Sequence, residues 1–97
     1  MKKNTNSYEQ GLDERLGKPE YAAEYLSAAA EEGKEELLVA LRDVARATGV
    51  AKVAKHAHRG RESLYKSLSL DGNPGLDTLL SVLDAVNLKL HFEPTKP

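Results

Sequence analysis

Five cations and one acid crowd into residues 48–69: Lys52, Lys55, Arg59, Arg61 and Lys66 against Glu62. Side chains of this kind neutralise phosphate, and arginine adds a planar fork able to donate two hydrogen bonds to guanine O6 and N7. Glu62 can accept from a cytosine amine, or it can simply occupy a helix start that favours an anion. Tyr65 can meet a thymine methyl or a phosphate, or it can pack half-buried. Lys52, Lys55 and Arg59 are of the type that positions a nucleic-acid backbone rather than reads its bases. Ser67 and Ser69 can add phosphate hydrogen bonds or remain plain hydroxyls at a helix end. We therefore expect Arg61, Glu62, Tyr65 and Lys66 at base edges, and Lys52, Lys55, Arg59 and Ser69 at phosphates.

Other chemistries find less support. His56 and His58 stand two residues apart, so on a helix they point to different faces, and no third ligand lies near them. His91 reads as solvent-facing. A nucleophilic triad could be imagined from His56, Ser63 and an aspartate, but nothing in the spacing makes them converge. No Gly-rich phosphate loop or paired carboxylate cluster exists. The chain has no cysteine, which removes disulfides, zinc fingers and thiol catalysis. The expectation is a protein that is not an enzyme and takes no metal or other cofactor.

The charge is local. Residues 1–47 carry a net charge of -3, residues 48–69 of +4 and residues 70–97 of -2, within a chain of 97 residues and net charge -1. A basic island in an acidic chain attracts phosphate at one face without coating nucleic acid indiscriminately. The length suits one domain. No apolar run approaches a membrane span and no signal-peptide pattern follows Met1-Lys2-Lys3, so a soluble cytoplasmic protein without membrane contact is expected.

The elements that must hold these residues can be read from periodicity. Residues 1–6 read as a flexible arm. Asn6 or Ser7, with Glu9 or Gln10 three residues on, resembles a capping box for a first helix presenting Tyr8, Leu12 and Leu16. Pro19 suits the start of a second helix, which runs to about Glu32 with Ala22, Tyr25, Leu26 and Ala29 inward. Gly33 breaks it. A third helix near Lys34–Ala47 shows Leu37, Leu38, Leu41, Val44, Ala45 and Thr48 at helical intervals. Val50, Val53, Ala54 and Ala57 form the stripe of a short helix, and Leu64 and Leu68 that of another beyond the break at His58-Arg59-Gly60. Two short helices with a shared core and a cationic outer face make a helix-turn-helix. Asp71-Gly72-Asn73-Pro74-Gly75 is a turn, followed by a helix carrying Leu76, Leu79, Leu80, Leu83 and Val86. Leu88-Lys89-Leu90-His91-Phe92 alternates apolar and polar residues, which predicts a strand over 88–93. A lone strand leaves backbone groups unpaired, so Leu88, Leu90 and Phe92 are expected to pair with their copies in a homodimer.

From Val39 to Leu90 the chain resembles the lambda-repressor-like helix-turn-helix fold of the Xre type, in the addiction-module antidote branch related to the HigA antitoxins. The residues carrying the resemblance are Ala40–Val50, Val53-Ala54-Lys55, Arg61–Ser69, Gly72-Asn73-Pro74 and Leu88-Lys89-Leu90. Tyr8–Leu12 and Tyr21–Leu26 extend it upstream. It implies an all-α bundle of five to six helices with a short C-terminal β-strand, in which residues 7–32 form leading helices and 34–87 an Xre-like core. It also implies a homodimeric repressor binding a palindromic double-stranded operator of its own gene pair, and neutralising a RelE/HigB-like toxin. The turn departs from that pattern. His58 stands where Gly is usual, Arg59 where an apolar residue plugs the helix pair, and Gly60 where Ser, Asn or Thr caps. Those departures keep open an interaction-only antidote or adaptor with little DNA binding, and a stand-alone prophage-type regulator without a toxin. The helices from Tyr8 to Glu32 could serve toxin contact, dimerisation or plain core packing.

Overall fold

A computed structural model describes residues 7–95. Residues 1–6, which carry the expected arm and the Asn6 side of the capping box, lie outside the described residues. Six helices run in order: α1 (Ser7–Leu16), α2 (Pro19–Glu32), α3 (Lys34–Thr48), α4 (Val50–His56), α5 (Arg61–Ser67) and α6 (Leu76–Ala85). Helix α3 is shared by both halves of the molecule. It packs with α1 and α2, and it also meets α4, which in turn carries α5 and α6.

One core runs through all six helices. Leu12 and Leu16 enter it from α1, Ala22 and Leu26 from α2, and Leu38, Ala40, Leu41, Val44 and Ala45 from α3. Val53, Ala54, Leu64, Leu68, Val82, Leu83 and Val86 close it from the other side. Tyr8, expected beside Leu12, is instead exposed on the first turn of α1. Leu76 and Leu80 are also exposed, so α6 buries a narrower stripe than its leucines imply.

A polar network ties the first three helices together over the top of that core. Arg46 Nη2 donates to Asp13 Oδ1 at 2.8 Å and Arg46 Nη1 to Asp43 Oδ1 at 3.2 Å. The Tyr25 hydroxyl donates to the other Asp43 oxygen at 2.6 Å. Burial, reinforced by that bond, holds the Tyr25 phenol proton well above the ordinary tyrosine range.

The expected C-terminal strand is absent among the described residues. Asn87 takes a left-handed conformation (φ 65°), and the Leu88 N–H turns back to Leu83 O at 2.8 Å while Asn87 N–H reaches Asp84 O at 3.1 Å. This 6→1 and 5→2 pair is a Schellman closure of α6, with Leu88 and Leu83 as its usual apolar partners. Leu88 thus packs on the core as the end of a helix rather than the start of a strand. Beyond it no ladder forms through residue 95. Leu90 is exposed and Phe92 is 83% exposed. The alternating pattern has no neighbouring strand among the described residues to pair with, and an isolated strand is not stable.

Helix α4 closes in the same way. Arg59 N–H bonds to Ala54 O at 2.9 Å and His58 N–H to Lys55 O at 3.1 Å, with His58 left-handed at φ 58°. The strain expected where His replaces Gly is therefore present, and the turn forms despite it. Left-handed backbone costs an L-residue roughly 1–2 kcal/mol, so His58→Gly is expected to stabilise the fold by about 1 kcal/mol, a Tm rise of roughly 4–8 °C. An unchanged or lower Tm in a thermal melt would refute this account of the turn.

Candidate nucleic-acid interface

Helices α4 and α5 are joined by the four residues Ala57–Gly60, the separation of a helix pair folded about a tight turn. Burial of Val53, Ala54, Ala57, Leu64 and Leu68 leaves most of the other side chains outward, with Val50, Tyr65 and Ser67 half-buried. Gly60 lies at the N-cap of α5 in extended backbone (φ -71°, ψ 155°) with no side-chain cap, so the first turn of α5 keeps its N–H groups open on the Arg61 side.

The cations take the positions their spacing demands. Lys52, Lys55, Arg59, Arg61 and Lys66 are all exposed, as is Glu62. Arg61, Glu62 and Tyr65 come together with Val50 around a hollow of about 500 Å³ between the start of α4 and the outer face of α5. Arg61 and Tyr65 are one helical turn apart and therefore flank each other.

Tyr65 is half-buried rather than free. The Arg42 guanidinium of α3 lies over its ring, 5.0 Å from the centroid, close enough for attraction between the cation and the π-face. Arg42 Nε is buried and meets no hydrogen-bond acceptor among the described residues, so the ring is the partner this guanidinium has gained. No pattern within α3 pointed to Arg42, because its partner stands 23 positions along the chain.

The serines behave differently. Ser69 Oγ donates to Lys66 O at 2.8 Å and Ser67 Oγ donates to Leu64 O at 2.8 Å. Each hydroxyl has one proton, already spent on its own helix end, so neither is set to donate to a phosphate. Leu88, Leu90 and Phe92 form no strand among the described residues, and Leu88 instead packs on the core at the end of α6.

His56 and His58 part company. His56 Nε2 lies 2.7 Å from Asp84 Oδ2 and ties α4 to α6, whereas His58 sits in the turn. Among the described residues no three His, Cys, Asp or Glu side chains gather as a metal would require. No helix among them is long and apolar enough to cross a membrane.

Comparison with known proteins adds the family. Residues 6–94 match the family described as probable addiction module antidote protein. The chain belongs to that family. It is also similar to an uncharacterized protein of Haemophilus influenzae, 37% identical over 84 residues that cover 86% of this chain and 87% of the relative. No solved structure matches it. An addiction-module antidote is one half of a toxin–antitoxin pair, so membership carries with it a toxin partner of some kind.

Proposed function

We propose that this antidote is also a sequence-specific DNA-binding repressor of the HigA-like, Xre helix-turn-helix type, acting as a homodimer on the operator of its own gene pair. The observation that carries the reading is the pair α4 and α5, where all five cations of residues 48–69 are exposed and Arg61 lines one hollow with Glu62 and Tyr65. In this reading α5 enters the major groove with Arg61 and Glu62 at base edges and Lys66 beside them. Tyr65, held by Arg42, presents its free edge to the same groove. Lys52, Lys55 and Arg59 sit against phosphates on either side. Two copies place their α5 helices about 34 Å apart on a palindromic site. The partner is a RelE/HigB-like toxin, and the chain's role is binding rather than catalysis.

Fluorescence anisotropy on the DNA upstream of the gene tests this. Affinity should fall with salt on a log-log slope of about -0.9 per phosphate contacted. Arg61→Ala is expected to weaken specific binding by roughly 1–3 kcal/mol and to relax one base position. The exposed cation Lys89, outside the cluster, is the control. Equal losses for Arg61→Ala and Lys89→Ala would remove Arg61 from the base-reading set, and no operator binding by the unmodified protein would end the DNA reading.

A further inference from the structure

The hairpin of α2 and α3 holds a groove of about 420 Å³ on the acidic half of the chain. Its floor is apolar: Ala28 and Ala29 from α2, Val39 and Ala40 from α3, and Leu70 from beyond α5. Two of these are large side chains left in water, Val39 at 40% exposure and Leu70 at 52%. Its rim is Glu32, Glu35 and Glu36, and no lining residue is a cation.

Two features set this groove apart from ordinary surface. The first is charge placed against local preference. Helix α2 ends on Glu31-Glu32 with no base in its last turn, although carboxylates at a helix C-terminus face the negative end of the dipole. Across Gly33, Glu35 and Glu36 stand in the first turn of α3, where the dipole favours an acid, and bring the same sign to the same place. Charges that disfavour their own helix are expected where a surface serves something else. The second is the floor, where alanines admit close approach and Val39 and Leu70 wait uncovered.

We propose that this groove is the docking site for the toxin, receiving an amphipathic helix of that partner whose apolar stripe is flanked by Lys and Arg. The inference rests on the antidote reading and adds the surface and the chemistry of the partner segment. An apolar stripe covers Val39 and Leu70, and its basic flanks meet Glu32, Glu35 and Glu36, the helix-in-groove mode of recognition. Charge complementarity of this kind also speeds encounter. A second copy of the chain fits poorly. A twofold contact through this patch would set one acidic rim against the other. A reciprocal twofold pair that seated the basic α4–α5 face of each copy in the other's groove would take that face away from DNA.

The test uses the full-length chain and the purified product of the reading frame adjacent to its gene, with Kd measured by titration calorimetry. Three variants are compared: Val39→Asp/Leu70→Asp, Glu32→Lys and Arg61→Ala. Glu32→Lys improves the match of α2 to its dipole, so it is expected to fold, and melts check all three. Removing the apolar anchors should raise Kd at least about tenfold, and Glu32→Lys should raise it most at low salt. Arg61→Ala should leave toxin affinity unchanged. Unaltered affinity in both folded groove variants overturns the groove while leaving the antidote reading intact. Equal loss in Arg61→Ala overturns it in favour of the α4–α5 face. No binding by the unmodified chain defeats the pairing and the proposal together. Self-association abolished by Val39→Asp/Leu70→Asp, with toxin binding kept, reassigns the groove to a second copy.

Discussion

Gly72→Ala is expected to destabilise the protein by about 3 kcal/mol or more, beyond the usual cost of overpacking. Gly72 is buried in the turn after α5, and its N–H donates to Ser69 O at 2.8 Å. A Cβ built there falls on the Ser67 carbonyl group and comes within 2.8 Å of Lys66 O. All of these atoms are backbone, at the end of the helix that carries Arg61 and Tyr65, so no side chain can swing aside. Relief requires the turn or the last residues of α5 to move. At roughly 4–8 °C per kcal/mol for a domain of this size, the Tm should drop by more than about 12 °C. A melt within about 2 °C of the parent would show the turn to be far more compliant than its contacts imply.

Leu64→Ala should cost about 2–5 kcal/mol, the range for a leucine removed from a packed core. Leu64 is wholly buried, with Leu68 one turn on in the same state, and together they are the anchors of a helix of only seven residues. So short a helix has little stability of its own and depends on such packing. Leu64→Met, which conserves volume, should cost less than about 1.5 kcal/mol. Urea titration of both variants measures the difference, and equal losses would mean that polarity or shape rather than cavity formation governs the site. The pair also separates folding from recognition. Any loss of DNA affinity in Leu64→Ala should track the unfolded fraction, whereas Arg61→Ala should melt with the parent.

Much of this architecture was legible from spacing. The helix boundaries at Gly17, Gly33 and Gly49 lie where glycine ends each apolar period, and the cationic face of α4 and α5 emerges once Val53, Ala54, Leu64 and Leu68 are turned inward. The features that failed to show in the sequence depend on groups far apart along it. The Arg46–Asp13 pair spans 33 positions, and the clamp of Arg42 on Tyr65 joins two helices whose angle no local pattern encodes. The bond of Ser69 to Lys66 O was also hidden, because a hydroxyl near a cationic face and a hydroxyl closing its own helix look alike in one dimension. Residues 88–92 misled for a related reason. Alternation marks a strand only if another strand is there to receive it, and Leu88 already had a use in the closure of α6. The acids of α2 and α3 counted only as net charge until the hairpin gathered three of them around one groove.

Gly33 links α2 to α3 alone, serving as the C-cap of one and the N-cap of the other at φ 134°, ψ -178°, a region essentially reserved for glycine. A joint of one residue has no slack to absorb a change in length. Each residue added to or removed from a helical path turns the downstream chain by about 100° about the axis. One extra residue within the first turn of α3, downstream of this fixed joint, would therefore carry Val39 and Ala40 off the groove floor, and would point Arg46 away from Asp13. Both helices could survive such an insertion. The joint thus sets the rotational phase of α3, and with it every surface that α3 shares.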